Sequence, residues 1–436
     1  MSSRPEDRSS PETSGSPAVS GRAPRIRPGT VAAGWLLALG AALGAAIWLL
    51  VPWTSLPTAS GAVLHEAFTD AQIARADEFA AEVRPPSYLA LGLGLVVVLW
   101  LTLTSRGLSL LRRTLRGPRW LHVPQLVVLV SLASWLVTLP VEIWRESVLR
   151  EWGLSTQAWV PWLLDGLTGL GISTLLTSLG LMVLWWLGRR LPRWWFVPTS
   201  LGAIVLTFGL SFAYPVVIEP VFNDFEPMRP GELRTSLLEL AERDGVPVDE
   251  VLVADASRRT TSLNAYVSGL GATRRIVVYD NLVAEATPEQ IEVIVAHELG
   301  HADARDVLVG STLSALGAAA GLTLLWWVLR SRWVRRRGVA GAGDPMAAAV
   351  VLGLAAATSL VILPVTNAVS RQVEARADRH ALALSGAPET VAEMQQRLAL
   401  TNLNDLTPPA WSYWLFASHP SAVQRIELAH EYRETQ

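Results

Sequence analysis

The sequence contains no cysteine and no lysine, and all 36 of its basic residues are arginine. The absence of cysteine excludes disulfides, thiolate metal sites and cysteine nucleophiles. Histidine is scarce, with seven residues in a chain of 436. Only 17% of the residues are charged, and the net charge of −2 gives no reason to expect nucleic acid as a partner.

The sequence contains long apolar segments with few charged residues. Half of the residues are hydrophobic and 19 are tryptophan, which is unlike an ordinary soluble domain. Seven runs are long enough to cross the bilayer hydrocarbon of about 30 Å and are predicted to be transmembrane helices. They lie at residues 31–52, 86–104, 123–141, 160–188, 195–217, 307–329 and 346–367. The first run is longer than the core of a signal peptide, so we interpret it as a retained span.

One motif, VAHELGH, points to metal chemistry. It contains His297, Glu298 and His301 in an H-E-x-x-H pattern. Residues four apart share one face of a helix, so the two imidazoles can bind one zinc ion. Glu298 then lies beside the ion without binding it, where a carboxylate can take a proton from the attacking water. The preceding TPEQ is typical of a capping box and predicts a helix from about 288 to 304.

A catalytic zinc takes three protein ligands and keeps a fourth position open. After two further spans the chain returns with NAVSRQVEARADRHA, which places Glu374 and Asp378 four residues apart on a predicted helix. Glu374 is predicted to be the third ligand. Asp378 is predicted to fix the tautomer of a ligating imidazole, and Arg371 to support the ligands from the same helix. The spacing alone is equally compatible with a solvated face on which these carboxylates pair with Arg371, Arg376 and Arg379.

Residues 218–306 form the main polar segment. It is predicted to contain one amphipathic helix and two strands, at Leu233–Asp244, Val251–Ala254 and Arg275–Tyr279. Between the strands lies SLNAYVSGLG, whose Gly269 and Gly271 predict a turn. The second strand closely precedes the motif helix, so we expect an extended substrate to pair along its exposed edge.

These motifs resemble the type I CAAX prenyl proteases, which are integral-membrane zinc metalloendopeptidases with seven spans around an internal chamber. The resemblance covers about Pro215 to Ile426, while the N-terminal half matches mainly in hydropathy. It rests on PVFNDFEP (220–227), SLNAYVSG (262–269), RRIVVYDNLV (274–283), HELGH (297–301), SRQVEARAD (370–378) and SHPS (418–421). It implies a mainly α fold, in which a seven-transmembrane-helix bundle encloses a chamber and carries a gluzincin-like α/β zinc metallopeptidase domain.

The resemblance also assigns roles to individual residues. It implies one zinc ion per chain on the two motif histidines and Glu374, with Glu298 as the general base. Asn264 in NAY and His419 in SHPS would bind substrate and stabilise the tetrahedral oxyanion, which suits two side chains that can donate hydrogen bonds. Without the resemblance, Asn264 would be interpreted as a turn residue and His419 as the neighbour of a helix N-cap.

The distribution of arginine predicts an orientation. Arginine is concentrated in the N-terminal tail and in three loops, at residues 105–122, 189–193 and 330–337. The acidic 53–85 and 142–159 loops hold two arginines each. By the positive-inside rule the N-terminus faces the cytoplasm and residues 218–306 face the outer side. The resemblance implies the opposite, because prenylated proteins are trimmed on the cytosolic side. The Arg-only, Ala-rich composition is typical of a bacterium with high GC content, in which a CAAX substrate is not expected.

The predicted organisation has five parts. They are a disordered tail, five spans with their loops, a metallopeptidase domain, two further spans and the C-terminal part of the catalytic domain, at 1–30, 31–217, 218–306, 307–367 and 368–436. The predicted function is hydrolysis of membrane-associated or unfolded polypeptides, including lipidated ones, by a multi-pass endopeptidase of the cell membrane.

Three alternatives stay open at this point. A quality-control peptidase would share every one of these sequence features with a specific processing enzyme. A sensor or scaffold would keep the fold but bind no metal. A transporter would need charged or broken helices in the middle of the membrane, and these spans contain few of either.

Overall fold

The computed structural model describes residues 27–269 and 274–436. Most of the predicted tail and Gly271 of the predicted turn lie outside these ranges, and the first helix begins at Pro28, inside the predicted tail. The helices are α1 (Pro28–Leu50), α2 (Gly61–Ala67), α3 (Asp70–Leu103), α4 (Ser105–Thr114), α5 (Arg119–Glu151), α6 (Trp159–Arg190), α7 (Phe196–Ala213), α8 (Glu219–Phe222), α9 (Glu232–Arg243), α10 (Asp280–Glu285), α11 (Pro288–Asp303), α12 (Asp306–Arg330), α13 (Arg332–Arg336), α14 (Ala347–Ser385), α15 (Pro388–Thr401), α16 (Ala410–Phe416) and α17 (Ala422–Glu434). The strands are β1 (Phe225–Pro227), β2 (Glu250–Ala254), β3 (Ala265–Ser268) and β4 (Arg275–Tyr279).

Seven helical stretches in the described residues are long and apolar enough to cross a membrane. They are α1, α3, α5, α6, Phe196–Phe222, α12 and α14, with mean hydropathies from 1.7 to 2.3. At most 22% of each apolar window is buried inside the protein, as expected of helices whose outer faces contact lipid. The predicted bundle of seven membrane helices is therefore confirmed.

Two of these helices extend well beyond their predicted ends. α3 begins at Asp70 rather than at residue 86, after a capping box in which Thr69 and Gln72 exchange hydrogen bonds. The helix continues through Pro85 and Pro86, where a sequence-based boundary was expected because proline usually ends a helix. α5 likewise continues to Glu151. The two acidic segments that were predicted to be loops, 53–85 and 142–159, are therefore partly helical extensions of α3 and α5.

The four described strands form one sheet in the order β1-β2-β4-β3. β2 and β4 are parallel and the other pairs are antiparallel. The strands predicted at 251–254 and 275–279 are confirmed. The segment between them, in which Gly269 and Gly271 predicted a turn, also contains the unpredicted strand β3, and Gly269 directly after it has φ 87°. The edge available to a substrate was assigned to the wrong strand. β4 is paired on both sides, whereas β1 and β3 are the edge strands, and β3 is the one that contacts the motif helix α11.

The apolar face of α11 fixes the position of the motif helix. Ile291, Val295 and Leu299 are fully buried against α9, the sheet, α14 and α15. Burial of each such side chain contributes roughly 1.5–3 kcal/mol. Gly300 lets α14 approach closely, because a Cβ there would lie 2.9 Å from the Cβ of His380.

α14 runs without interruption from the membrane to the catalytic end of the protein. The predicted boundary at residue 367, between the last span and the C-terminal part of the domain, lies inside this helix. The segment that carries Glu374 is therefore a continuation of the last span, and its orientation follows from that of the bundle.

Candidate active site

The two motif histidines lie side by side on α11. The helix begins at the predicted capping box, in which Thr287 and Gln290 exchange hydrogen bonds, with Pro288 at the first helical position. The Nε2 atoms of His297 and His301 are 3.2 Å apart, and the two rings are nearly perpendicular at 86°. Both nitrogens therefore point toward one position.

Glu374 on α14 reaches the same position. Its Oε2 lies 3.3 Å from His297 Nε2, and its Oε1 lies 3.6 Å from His301 Nε2. Ligand atoms placed tetrahedrally at about 2.0–2.1 Å from a zinc ion lie roughly 3.3 Å from one another. The two imidazole nitrogens and the carboxylate thus have the chemical types that a single zinc ion requires, and each nitrogen lies within 3.6 Å of a carboxylate oxygen.

The hydrogen bonding of Glu374 also fits a cation. Its Oε2 is buried, and no donor among the described residues hydrogen-bonds to it. The nearest polar groups are the Nε2 atoms of His297 and His419, each 3.3 Å away. An unsatisfied buried acceptor costs about 1–3 kcal/mol, and more if it is charged. A metal ion between the carboxylate and the imidazoles would remove that cost.

The second nitrogen of each histidine faces a carboxylate. His297 Nδ1 is 3.0 Å from Asp378, and His301 Nδ1 is 2.8 Å from Asp306. A carboxylate that accepts the Nδ1 proton fixes the tautomer in which Nε2 is free to bind metal. Asp378 lies at the predicted place. Asp306, the first residue of α12, was not anticipated.

Each of these two carboxylates also pairs with an arginine. Arg425 Nε lies 2.9–3.0 Å from the two carboxylate oxygens of Asp378, and Arg376 pairs with Asp306. The guanidinium groups offset negative charge that would otherwise collect around the metal position. Arg425 is a further residue that the sequence did not reveal.

The alternative of a solvated face on α14 is wrong. Glu374 is 8% exposed and Asp378 is 4% exposed, so both face the protein interior. Arg371 is buried too, but it does not contact the ligands as predicted. It donates a hydrogen bond to the carbonyl of Ala417 at 2.6 Å and lies 4.8 Å from the ring of Tyr413. Its contacts are with the segment that leads to His419, because its position on α14 is one turn away from Glu374, toward the bundle.

Burial and neighbouring charges shift the titration of this site. Burial raises the pKa of the Glu298 carboxyl, against the attraction of His297 and His301. Burial alone would lower the pKa of His297, but the carboxylates of Asp378 and Glu374 outweigh it and raise the pKa to about 10. A cation that binds His297 Nε2 therefore competes with a proton for that nitrogen.

A cavity of about 670 Å³ brings the remaining predicted residues together. Its wall includes Asn264, Glu298, Glu374 and His419. Asn264 directly precedes the edge strand β3 and is exposed, and its carbonyl accepts a hydrogen bond from Tyr279 N at 3.0 Å. The segment that carries His419 lines the same cavity. The cavity is large enough for an extended peptide segment beside His297 and Glu374.

The residues that sequence analysis missed have weak local signals. Asp306 follows His301 by five residues and reaches back to it because Arg305 adopts a left-handed backbone conformation, with φ 57°. Arg425 lies one turn into α17, after a capping box at Ser421. A carboxylate soon after the motif and an arginine soon after SHPS were visible in the sequence, but nothing there paired them with the site.

Models of two protein families match this chain. Residues 227–433 match peptidase family M48, and residues 87–224 match a family described as CAAX prenyl protease N-terminal, five membrane helices. Together the two matches cover most of the bundle and the whole of the site described above.

Similar proteins point the same way. An uncharacterized metalloprotease of Bacillus subtilis, YhfN, is 33% identical over 72% of this chain and 74% of its own length. CAAX prenyl protease 1 of Saccharomyces cerevisiae is 34% identical over 40% of this chain, but only 39% of the yeast protein is covered. The crystal structure of S. mikatae Ste24p has the same fold, with a TM-score of 0.74 and 20% identity over 93% of this chain and 100% of that one.

The fold and the site together define a multi-pass membrane metalloendopeptidase. The chain belongs to peptidase family M48. The resemblance to CAAX prenyl proteases that the sequence indicated is confirmed at the level of family and fold.

Proposed function

We propose that this peptidase uses one zinc ion, held by His297, His301 and Glu374. The observation that carries the proposal is the meeting of three side chains: the two imidazole Nε2 atoms are 3.2 Å apart, and each lies 3.3–3.6 Å from an oxygen of the buried Glu374 carboxylate, whose Oε2 is unsatisfied. Two imidazoles and one carboxylate are a known ligand set for catalytic zinc.

Zinc in this position supplies a Lewis acid that polarises the attacking water and the scissile carbonyl. Glu298 takes the proton from the water and later gives it to the leaving amine. Its pKa, raised by burial, brings the carboxyl closer to the range in which it can do both. Asn264 and His419, which both line the cavity, donate hydrogen bonds to the oxyanion.

The shape of the site favours flexible polypeptides as substrates. β3 offers an unpaired edge next to the metal ligands, where an extended chain can add as a further strand. The cavity of about 670 Å³ accommodates a peptide segment but no folded domain. Apolar side chains such as Phe79, Leu263 and Phe416 line it, so lipid-linked segments are included in the proposed substrate class.

We also propose that the chain lies in the cell membrane with its catalytic end on the outer side. Arg112, Arg189 and Arg337 belong to the arginine-rich loops, and these loops gather at the end of the bundle opposite the metal ligands. The positive-inside rule places that end in the cytoplasm.

Replacing Glu298 by Gln removes the base while keeping the size of the side chain. We expect peptide hydrolysis by the purified full chain to fall by about 10²–10⁴-fold, with zinc content unchanged. Glu292→Gln on the same helix is the matched control and retains activity. Turnover by Glu298→Gln at the wild-type rate would refute the assignment of the base.

Replacing Asn264 by Ala removes one oxyanion donor. We expect kcat to fall by about 10²–10³-fold with little change in KM, because the interaction strengthens in the transition state. Asn404→Ala, which alters another asparagine of the cavity wall, serves as the comparison. A change in KM alone would show that Asn264 only binds substrate.

Orientation is testable by protease protection of intact cells. A tag after Gln436, beside α17, is expected to be cleaved by external protease, whereas a tag at Gly117, between α4 and α5, is expected to be protected until the cells are lysed. The reverse pattern would place the catalytic end in the cytoplasm.

A further inference from the structure

A second cavity, of about 510 Å³, lies at the opposite end of the bundle from the metal ligands. The ends of α5, α6, α7 and α12 and the loop before α14 surround it. From Ala347 at the start of α14 to Glu374 the distance is roughly 40 Å at about 1.5 Å per helical residue. This cavity therefore belongs to the other face of the membrane and is no part of the peptidase site.

A glycine-rich loop, residues 340–343, forms one wall of this cavity. A Cβ on Gly188 would lie 2.6 Å from the carbonyl carbon of Ala342, and one on Gly343 would lie 3.2 Å from Arg189 Cγ. The loop therefore packs directly on the end of α6. The backbone N–H groups of Gly341 and Gly343 donate to no acceptor within the described residues.

The charge around the cavity is strongly positive. Four arginines line it: Arg119, Arg189, Arg330 and Arg335. Asp344 is the one acidic side chain in the lining, and its carboxylate accepts hydrogen bonds from the backbone N–H groups of Ala340 at 2.9 Å and Met346 at 3.0 Å. None of the four arginines forms an ion pair with a carboxylate in residues 27–269 or 274–436. Their positive charge is left for a ligand.

Two of these arginines are held beside tryptophan rings. The Arg189 guanidinium lies 5.0 Å from the Trp185 ring, and that of Arg330 lies 4.5 Å from the Trp326 ring. Such contacts restrain the side chains but leave the N–H donors at the guanidinium edge free. Arg189 and Arg330 lie in the last turns of the spanning helices α6 and α12, which places their guanidinium groups near the depth of the lipid headgroups.

We propose that this cavity binds the phosphate of an anionic phospholipid headgroup. Planar guanidinium groups bind phosphate oxygens in pairs, and basic pockets between membrane helices are suited to acidic headgroups. The volume lies within the usual range of ligand sites. A free phosphate ion has the same chemistry, but the headgroup depth of the arginines and the apolar span surfaces beside them favour a lipid, whose acyl chains those surfaces can contact.

The test uses the purified full chain in a detergent without net charge. Thermal unfolding is followed during titration with phosphatidylglycerol, phosphatidylcholine or inorganic phosphate. Arg189→Gln/Arg330→Gln removes two charges from the lining of the cavity, and Arg190→Gln/Arg336→Gln removes two equally exposed charges that are close in sequence but outside the lining. A ligand that binds only the folded state raises Tm.

We expect phosphatidylglycerol alone to raise Tm. Its apparent Kd should increase on the order of 30-fold in Arg189→Gln/Arg330→Gln, at about 1 kcal/mol per arginine, and hardly change in the control pair. Peptidase activity in all variants reports that they are folded. Should the first pair fail to fold, Arg119→Gln/Arg335→Gln takes its place.

Three results would overturn the proposal. An equal loss of affinity in both double variants would mean that diffuse surface charge attracts the lipid. The same rise in Tm with inorganic phosphate would identify the ligand as a soluble anion. No rise in Tm with phosphatidylglycerol would mean that the cavity binds neither.

Discussion

The rest of the structure depends on one buried carboxylate, that of Glu374, which lies between the imidazoles of His297, His301 and His419. Glu374 reaches His297 and His301 only because α14 leaves the membrane as one continuous helix and packs against α11. Gly300, with no side chain, lets the two helices approach. The Oε2 atom of Glu374 has no hydrogen-bond donor among the described residues, so in the proposed zinc site the packing of these two helices is coupled to metal binding.

The groups around the ligands come from distant parts of the chain. Asp306 begins α12, Asp378 lies one turn beyond Glu374 on α14, and Arg425 belongs to α17. Each imidazole thus has its own carboxylate, and each carboxylate has its own arginine. This arrangement couples the position of the metal to four helices, two of which cross the membrane. The orientation of the spans and the geometry of the catalytic site are consequently parts of one structure.

The sequence predicted those features whose residues lie close together in the chain and did not predict those formed by contacts between distant segments. His297 and His301 are four residues apart, so the sequence spacing alone predicted that they share one face of a helix. The apolar runs predicted all seven spans. Glu374 could be proposed from its spacing to Asp378, but the resemblance was needed to prefer a ligand over a solvated face, because its partners lie two spans away. Asp306 and Arg425 were missed since their roles arise only from tertiary contacts. β3 was not predicted because it has only four residues and Gly269 follows it directly. The start of α3 was missed because Pro85 and Pro86 do not end that helix in its packed environment.

The most direct test of this account is the coordination of the bound metal. X-ray absorption at the zinc edge of the purified full chain, together with metal analysis, should show one zinc per chain bound by two imidazole nitrogens and a carboxylate oxygen, with the carboxylate ligand and most of the zinc lost in Glu374→Ala. Zinc retained in Glu374→Ala at full occupancy and with an unchanged spectrum would contradict the account.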